Sequence, residues 1–257
     1  MTVVALISDF GLDDTYVAEM KAALIRLGPP RLRLLDVTHA IPPGEVAAGR
    51  WALRRIWPQL PAGTVHLAVV DPGVGTPRPA VAARTDDRWF VGPGNGLGAF
   101  LAAAPDVAVW RLELPSPPAG YQASSTFHGR DLFAPAAAHL ASGGDPARIA
   151  TPGRGDDLGA AARTGKAWRV VWVDRFGNLI TDLHRDTAAA RRLETGASLT
   201  VAGRRVRGPV RAYAEAAPGE LIWYWGSGDT LEIALDSASA AARLGVGPGL
   251  AIALDRS

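Results

Sequence analysis

Two short stretches of the chain hold residues whose types and spacing could do chemistry. The first is Val69-Val-Asp-Pro-Gly-Val-Gly-Thr-Pro-Arg78, where an aspartate, two glycines and an arginine follow an apolar run. A Val-rich run such as 64–70 reads as a strand buried on both faces. Asp71 is therefore expected at the carboxyl end of a strand, where open α/β sheets place their ligands. Gly73 and Gly75 allow a sharp turn or close approach to a ligand, and Arg78 is near enough along the loop to fold back on Asp71. A plain Gly/Pro turn closed by an Asp–Arg ion pair is the other reading. The second stretch, Ser125-Thr-Phe-His-Gly-Arg-Asp131, puts one of only five histidines beside a glycine and a charged pair, just before a helix-like run over 132–141. His128 should then sit at a helix amino terminus. Asp71, Arg78 and His128 make a set able to hold and polarise a water: the carboxylate accepts its proton, the imidazole donates or accepts, and the guanidinium fixes the carboxylate bidentately.

The elements that must position this set change character once along the chain. From 1 to 150, strand-like runs (3–7, 32–37, 64–70, 79–84, 88–92, 107–112) alternate with helix-like ones (13–27, 44–57, 95–104, 131–142). That alternation predicts an α/β layered domain around a central, mainly parallel sheet. Residues 151–166, rich in Gly, Ala and Asp, read as a linker. From 167 to 257, short strands (168–173, 198–201, 210–214, 221–225, 230–235, 250–254) separated by Gly, Pro and Asp turns predict a smaller all-β, barrel-like domain.

Composition narrows the function classes. The 257 residues are 48% hydrophobic and 20% charged, and 27 basic against 25 acidic residues leave a net charge of only +2 with no run of like charge. This speaks against a nucleic-acid footprint or a membrane-surface patch. With zero cysteines, disulfides, thiolate-bound metals and thiol catalysis are excluded. No apolar stretch is long enough to cross a bilayer and the amino terminus lacks a signal-peptide pattern, so a cytoplasmic protein is expected.

Several other residues could serve a site. Ser8-Asp-Phe-Gly11 ends the first strand, where Asp9 could accept both hydroxyls of a ribose or cap the following helix, a task Asp13 could also perform. Asp36-Val-Thr-His39 ends the second strand and reads as support or turn structure. The only two asparagines, Asn95 and Asn178, each follow a glycine. Asn178 lies in Asp174-Arg-Phe-Gly-Asn178, where Phe176 could stack on a purine and the amide read its edge, or the segment could be a simple β-turn. Trp223 and Trp225 alternate with Tyr224 and read as core. His66, His139 and His184 lack metal-ligand spacing and read as structural, so no metal site is expected. Dinucleotide, P-loop and serine-elbow motifs are all missing.

Taken together and in order, Ser8-Asp-Phe-Gly11, Tyr16-Val-Ala-Glu-Met-Lys21, Asp36-Val-Thr-His39, Asp71-Pro-Gly-Val-Gly75 with Arg78, Phe127-His-Gly-Arg-Asp-Leu-Phe-Ala-Pro135, Asp174-Arg-Phe-Gly-Asn178 and Leu231-Glu-Ile-Ala234 resemble the S-adenosyl-L-methionine hydroxide adenosyltransferase family, the hydrolase branch of the fluorinase/chlorinase superfamily. The resemblance implies hydrolysis of S-adenosyl-L-methionine (SAM) to adenosine and L-methionine, with no metal or cofactor, in a homotrimer with active sites between subunits. It implies Asp71, Arg78 and His128 as the water-activating set, Asp9 on the ribose diol, Asp174 on the methionine amino group, Asn178 with Phe176 on the adenine, and Ser227 at the amino-acid end. Two alternatives stay open: a SAM-dependent halogenase, and a non-catalytic protein that binds SAM or adenosine. In the halogenating branch a tyrosine replaces the strand-end aspartate and the Phe-His-Gly triplet is altered. This chain departs from the fluorinase pattern at Ser227-Gly228-Asp229, where Ser-Arg-Gly is expected, and at Asp236 and Gly94. How the methionine carboxylate is held is left open.

Overall fold

The computed structural model describes residues 2–113, 124–160 and 167–254. The chain divides into two compact units, Met1–Ala162 and Arg163–Ser257. In the first, the order is β1 (Val3–Ser8), α1 (Tyr16–Leu27), β2 (Arg33–Thr38), α2 (Val46–Ile56), β3 (Val65–Val69), β4 (Ala80–Thr85), β5 (Arg88–Pro93), β6 (Ala108–Leu112), α3 (Ala134–Ala141) and β7 (Ala150–Pro152). These strands form one sheet in the order β2-β1-β3-β5-β4-β6-β7. The first four run parallel, and β4, β6 and β7 continue antiparallel. β1 and β3 are buried along nearly their whole length, as strands covered on both faces must be.

Alternation along β1 sends Val4 and Leu6 to one face, where they meet Met20 and Leu24 of α1 and the alanine-rich α3. Each fully buried side chain of this size contributes about 1.5–3 kcal/mol. On the other face, α2 approaches closely because Gly49 has no side chain: a Cβ there would lie 2.9 Å from Val70 Cγ2. β1 leads through α1 to β2 on one side, and α2 leads back to β3 on the other. The chain thus reverses direction between adjacent β1 and β3, the switch point where α/β sheets open a crevice.

The second unit contains β8 (Trp168–Val173), β9 (Leu179–His184), α4 (Ala188–Glu194), β10 (Leu199–Val201), β11 (Arg204–Val206), β12 (Leu221–Trp225), β13 (Thr230–Leu235), α5 (Ala240–Leu244) and β14 (Ala251–Leu254). Its sheet order is β11-β10-β14-β8-β9-β13-β12, antiparallel throughout. Backbone bonds from Arg207 N to Leu221 O and from Trp223 N to Arg207 O bring the two edges together, so the barrel is nearly closed. Trp223 fills its core and is 1% exposed.

The fold class is as expected, an α/β unit with a mainly parallel sheet and a barrel-like β unit, but several elements differ. Residues 95–104, expected as a helix, form only a 3-10 turn at Ala99–Ala103. The strand expected at 210–214 is missing: Pro209 lacks an N–H, Val210 N makes a single bond to Trp223 O, and Tyr213–Glu215 turns away. Helices α4 and α5, capped by Thr187 and Ser239 side chains, lie inside the unit expected to be all β. α1 starts at Tyr16, so neither Asp9 nor Asp13 caps it. Of the expected linker, residues 161–166 lie outside the described residues; 151–160 carry the end of β7 and a 3-10 turn whose Leu158 is wholly buried.

Candidate active site

β1 and β3 pair in parallel with Ser8 opposite Val69, so the segments leaving them emerge side by side. Asp9 follows one strand and Asp71 the other. Between them opens a cavity of about 450 Å³, lined also by Phe10, Tyr16, Val74, Phe127 and His128. Its size is in the range that holds a small molecule.

The loop after β3 needs Gly75 at φ +80, while Gly73 leaves room for the Arg78 stem and Thr76. This geometry folds Arg78 back over Asp71. Arg78 Nε donates to Asp71 Oδ1 at 2.8 Å and Nη2 donates to Asp71 Oδ2, a bidentate clamp on two side chains that are 10% and 6% exposed. The same Nη2 lies 3.0 Å from His128 Nδ1. Since a guanidinium only donates, Nδ1 accepts and the ring proton sits on Nε2. Desolvation holds His128 below its ordinary value, and the Arg78 charge adds to this against the weaker pull of Asp71 and Asp131. The buried Phe133 ring lies under both, 5.4 Å from the Arg78 guanidinium and 6.3 Å from the imidazole.

His128 precedes one π-helical turn, Gly129–Phe133, closed by Ala134 N donating to Gly129 O before α3 begins. Gly129 lets the rings pack closely: a Cβ would sit 3.2 Å from the rings of both Phe10 and Phe127. Asp131 anchors this turn, accepting from Arg130 Nε at 2.7 Å and from Ser124 N at 2.7 Å, and Arg130 reaches Glu19 on α1 at 2.8 Å. Asp9 Oδ2 accepts from Gly44 N at 2.8 Å. Burial pushes the Asp9 carboxyl up, the Gly44 bond opposes this, and the charge of Asp71 adds to the rise.

In the second unit, Asp174, Phe176 and Asn178 share the β8–β9 turn. Asp174 Oδ1 accepts from the backbone N–H of Phe176 at 2.9 Å and of Asn178 at 2.8 Å, and Oδ2 accepts from Asn178 Nδ2 at 2.8 Å. Gly177, at φ +85, supplies the left-handed residue, and the buried Asn178 amide is held by Asp174 and, at 3.4 Å, by the Tyr213 hydroxyl. Phe176 is 77% exposed. Phe176, Asn178, Tyr213 and Asp236 line a cavity of about 460 Å³. Ser227 stands exposed in the β12–β13 turn and is not among the residues lining that cavity. A larger groove of about 820 Å³ on this unit is lined by Arg204, Arg205 and Arg207 together with Glu194, Ser198 and Glu220, and Arg207 is ion-paired with Glu220.

Sequence reasoning gave no role to the aromatic trio Phe10, Tyr16 and Phe127, whose centroids are 5.2 to 6.0 Å apart on the cavity wall. It also missed the chain Asn178–Tyr213–Tyr224–Glu232, with oxygens 2.6 Å apart between the tyrosines and 2.7 Å from Tyr224 to Glu232. Burial, then these two partners, push the Tyr224 phenol far up. The signal available was Tyr224 on the strand face opposite Trp223 and Trp225. Asn95 donates to Val70 O at 2.9 Å and braces the β3 end, and Gly96 rather than Asn95 takes positive φ. His66 stacks on Trp57 in the core, where burial holds its imidazole down at about 4.

Fold and cavity thus define an α/β protein with an Asp–Arg–His acid–base cluster at the switch point of its sheet, joined to a β-barrel-like unit. The chain belongs to the SAM hydroxide adenosyltransferase family: residues 4–150 match the family's N-terminal domain and residues 168–253 its C-terminal domain. It is 42% identical to the (R)-S-adenosyl-L-methionine hydrolase of Thermus thermophilus, over 99% of this chain and 100% of that protein. A fluorinase of Actinopolyspora mzabensis is 25% identical over 99% and 97%. Among solved structures, an uncharacterized conserved protein from Thermotoga maritima superposes with TM-score 0.83 at 30% identity, covering 98% of this chain and 100% of the other.

Proposed function

We propose that the protein hydrolyses S-adenosyl-L-methionine to adenosine and L-methionine. The observation that carries this is the Arg78-clamped Asp71 beside a neutral His128 on the wall of a substrate-sized cavity. Hydrolysis leads over halogenation because the hydrolase of Thermus thermophilus is far nearer in sequence than the fluorinase, and because a carboxylate in the nucleophile pocket repels a halide.

In this reading a water sits between Asp71 and the Nε2–H of His128. Its oxygen attacks C5′ in line with the C5′–S bond, the bonding pair leaves with sulfur as a neutral thioether, and Asp71 takes the proton for release to solvent. The sulfonium is already an activated leaving group, so no cofactor is called on, and attack by an anionic oxygen on a cation gains from a site that sheds bulk water. The Arg78 clamp fixes the carboxylate orientation before the reaction begins. Asp9 binds the ribose diol, Phe176 and Asn178 the adenine, and Asp174 and Ser227 the methionine end. A cytoplasmic location suits a chain without cysteine.

The working unit in this reading is a homotrimer in which the α/β cavity of one protomer is completed by the β8–β9 turn of a neighbour. Leu12, Tyr16 and Val74 near the first cavity and Phe176 and Tyr213 at the second are all exposed apolar surface, the kind that association covers. Purified protein given SAM should release adenosine, followed by chromatography, and saturating chloride or fluoride should give no 5′-halo-adenosine; abundant halogenated product would move the chain to the other branch, and no turnover would leave a binder. Mixing His128→Ala with Asn178→Ala under subunit exchange should restore part of the activity. Zero activity after verified exchange rules out the shared site.

A further inference from the structure

The segment after β1 brings Asp9 and Phe10 to the cavity, and one residue outside the cavity holds that segment at both ends, by its side chain at Ser8 and by its backbone carbonyl at Gly11. His39, just past β2, is 5% exposed, and Ser8 is wholly buried. His39 Nδ1 lies 2.7 Å from Ser8 Oγ, and Nε2 lies 3.1 Å from Asp36 Oδ1. Asp36 Oδ2 accepts in turn from Lys21 Nζ at 2.6 Å. The carbonyl of His39 accepts from Gly11 N at 2.9 Å, while Phe10 N donates to Ser8 Oγ at 3.4 Å. Asp9 and Phe10 are therefore strung between two points, Ser8 and Gly11, that both bond to the same histidine.

The directions of these bonds form a consistent set. The Asp36 carboxylate accepts, so the ring proton sits on Nε2; in the neutral imidazole Nδ1 is then an acceptor and takes the Ser8 hydroxyl proton, while Phe10 N–H is directed at Ser8 Oγ. Each bond fixes the direction of the next, from Lys21 at the surface to the buried strand end. A histidine that merely filled space would not need partners on both nitrogens and on its carbonyl.

We propose that His39 is a positioning residue for substrate binding: through Ser8 it sets the 8–11 segment and so the direction in which Asp9 and Phe10 face the nucleoside. This rests on reading the cavity as a SAM site. The relay acts on binding geometry and not on the attacking water, so its signature is a KM effect with kcat nearly kept.

Three variants dissect it. Ser8→Ala removes the buried hydroxyl. His39→Asn puts its side-chain oxygen where Nδ1 lies and keeps the Ser8 bond, whereas His39→Gln puts its amide nitrogen where Nε2 lies and keeps only the Asp36 bond. For SAM hydrolysis, KM should rise by roughly 5- to 10-fold in Ser8→Ala and His39→Gln, the effect of one lost hydrogen bond, with kcat within about 2-fold and His39→Asn near wild type. Hydrogen exchange at the Phe10 and Gly11 amides should quicken in the first two while β1 amides stay protected. Unchanged KM and exchange in all three, or a lowered melting temperature with KM unmoved, overturns the proposal. Should wild type fail to consume SAM, the functional reading falls by itself; exchange at Phe10 and Gly11 then decides the positioning role, faster exchange supporting it and unchanged exchange overturning it.

Discussion

The two units treat their carboxylates in opposite ways. In the α/β unit, Asp71 is clamped by an arginine from its own loop, and that arginine also meets a histidine 50 residues further on, so charge is gathered around open space. In the β unit, Asp174 satisfies both of its oxygens within its own turn, and the exposed group is the apolar ring of Phe176. The first arrangement stores electrostatic potential at a cavity; the second stores shape. In the proposed reading the chemistry falls to the first unit and recognition of the adenine to the second, and that division can be broken at each end.

The largest effect is expected at the clamp. Asp71→Asn keeps size and loses charge, and His128→Ala removes the imidazole; each should lower kcat by ~10²–10⁴-fold with KM little changed. Wild-type kcat in both, measured by adenosine release, would remove the α/β cluster from catalysis. Next comes Phe176→Ala. Losing a base-stacking ring is worth ~1–3 kcal/mol, so KM should rise by about 5- to 100-fold with kcat held. Because the ring is exposed, its melting temperature should not move; a kcat loss without a KM change would erase the contrast between the units.

The smallest effect is a displacement on the pH axis. His128 must be neutral for Nδ1 to accept from Arg78, and its pKa is lowered by desolvation and by the Arg78 charge. Activity should therefore hold as pH falls through 6.5 and decline only below it, through the depressed pKa. Arg78→Gln removes the lowering charge and leaves Asp71, which acts to raise the pKa, so the acidic limb of kcat/KM should move to higher pH. An acidic limb that stays in place would mean that another group titrates.

Reading the sequence worked best where one local pattern had one physical meaning. The apolar run before Asp71 read as a covered strand, and strand ends in α/β sheets face a crevice, so Asp71, Arg78 and His128 could be grouped ahead of the structure, which brings them together. It failed where backbone partners decide. Residues 95–104 carry helix-like composition, yet Gly96 at positive φ and Gly98 against the Phe90 ring restrict them to a short turn. α4 hid in a region read as strands and turns, although Thr187 marks its cap.

By itself the sequence determined the alternation of strands and helices, the change to a β unit, and the residue types able to move a proton. These follow from local periodicity and side-chain chemistry, which act over a few residues. Only the tertiary structure decided that Ser8 and Val69 lie side by side, that one Arg78 nitrogen serves both Asp71 and His128, and that His39 reaches back 31 residues to grip Ser8. Such pairings depend on strand order and on which buried polar groups find partners once water is excluded, and no spacing along the chain encodes them.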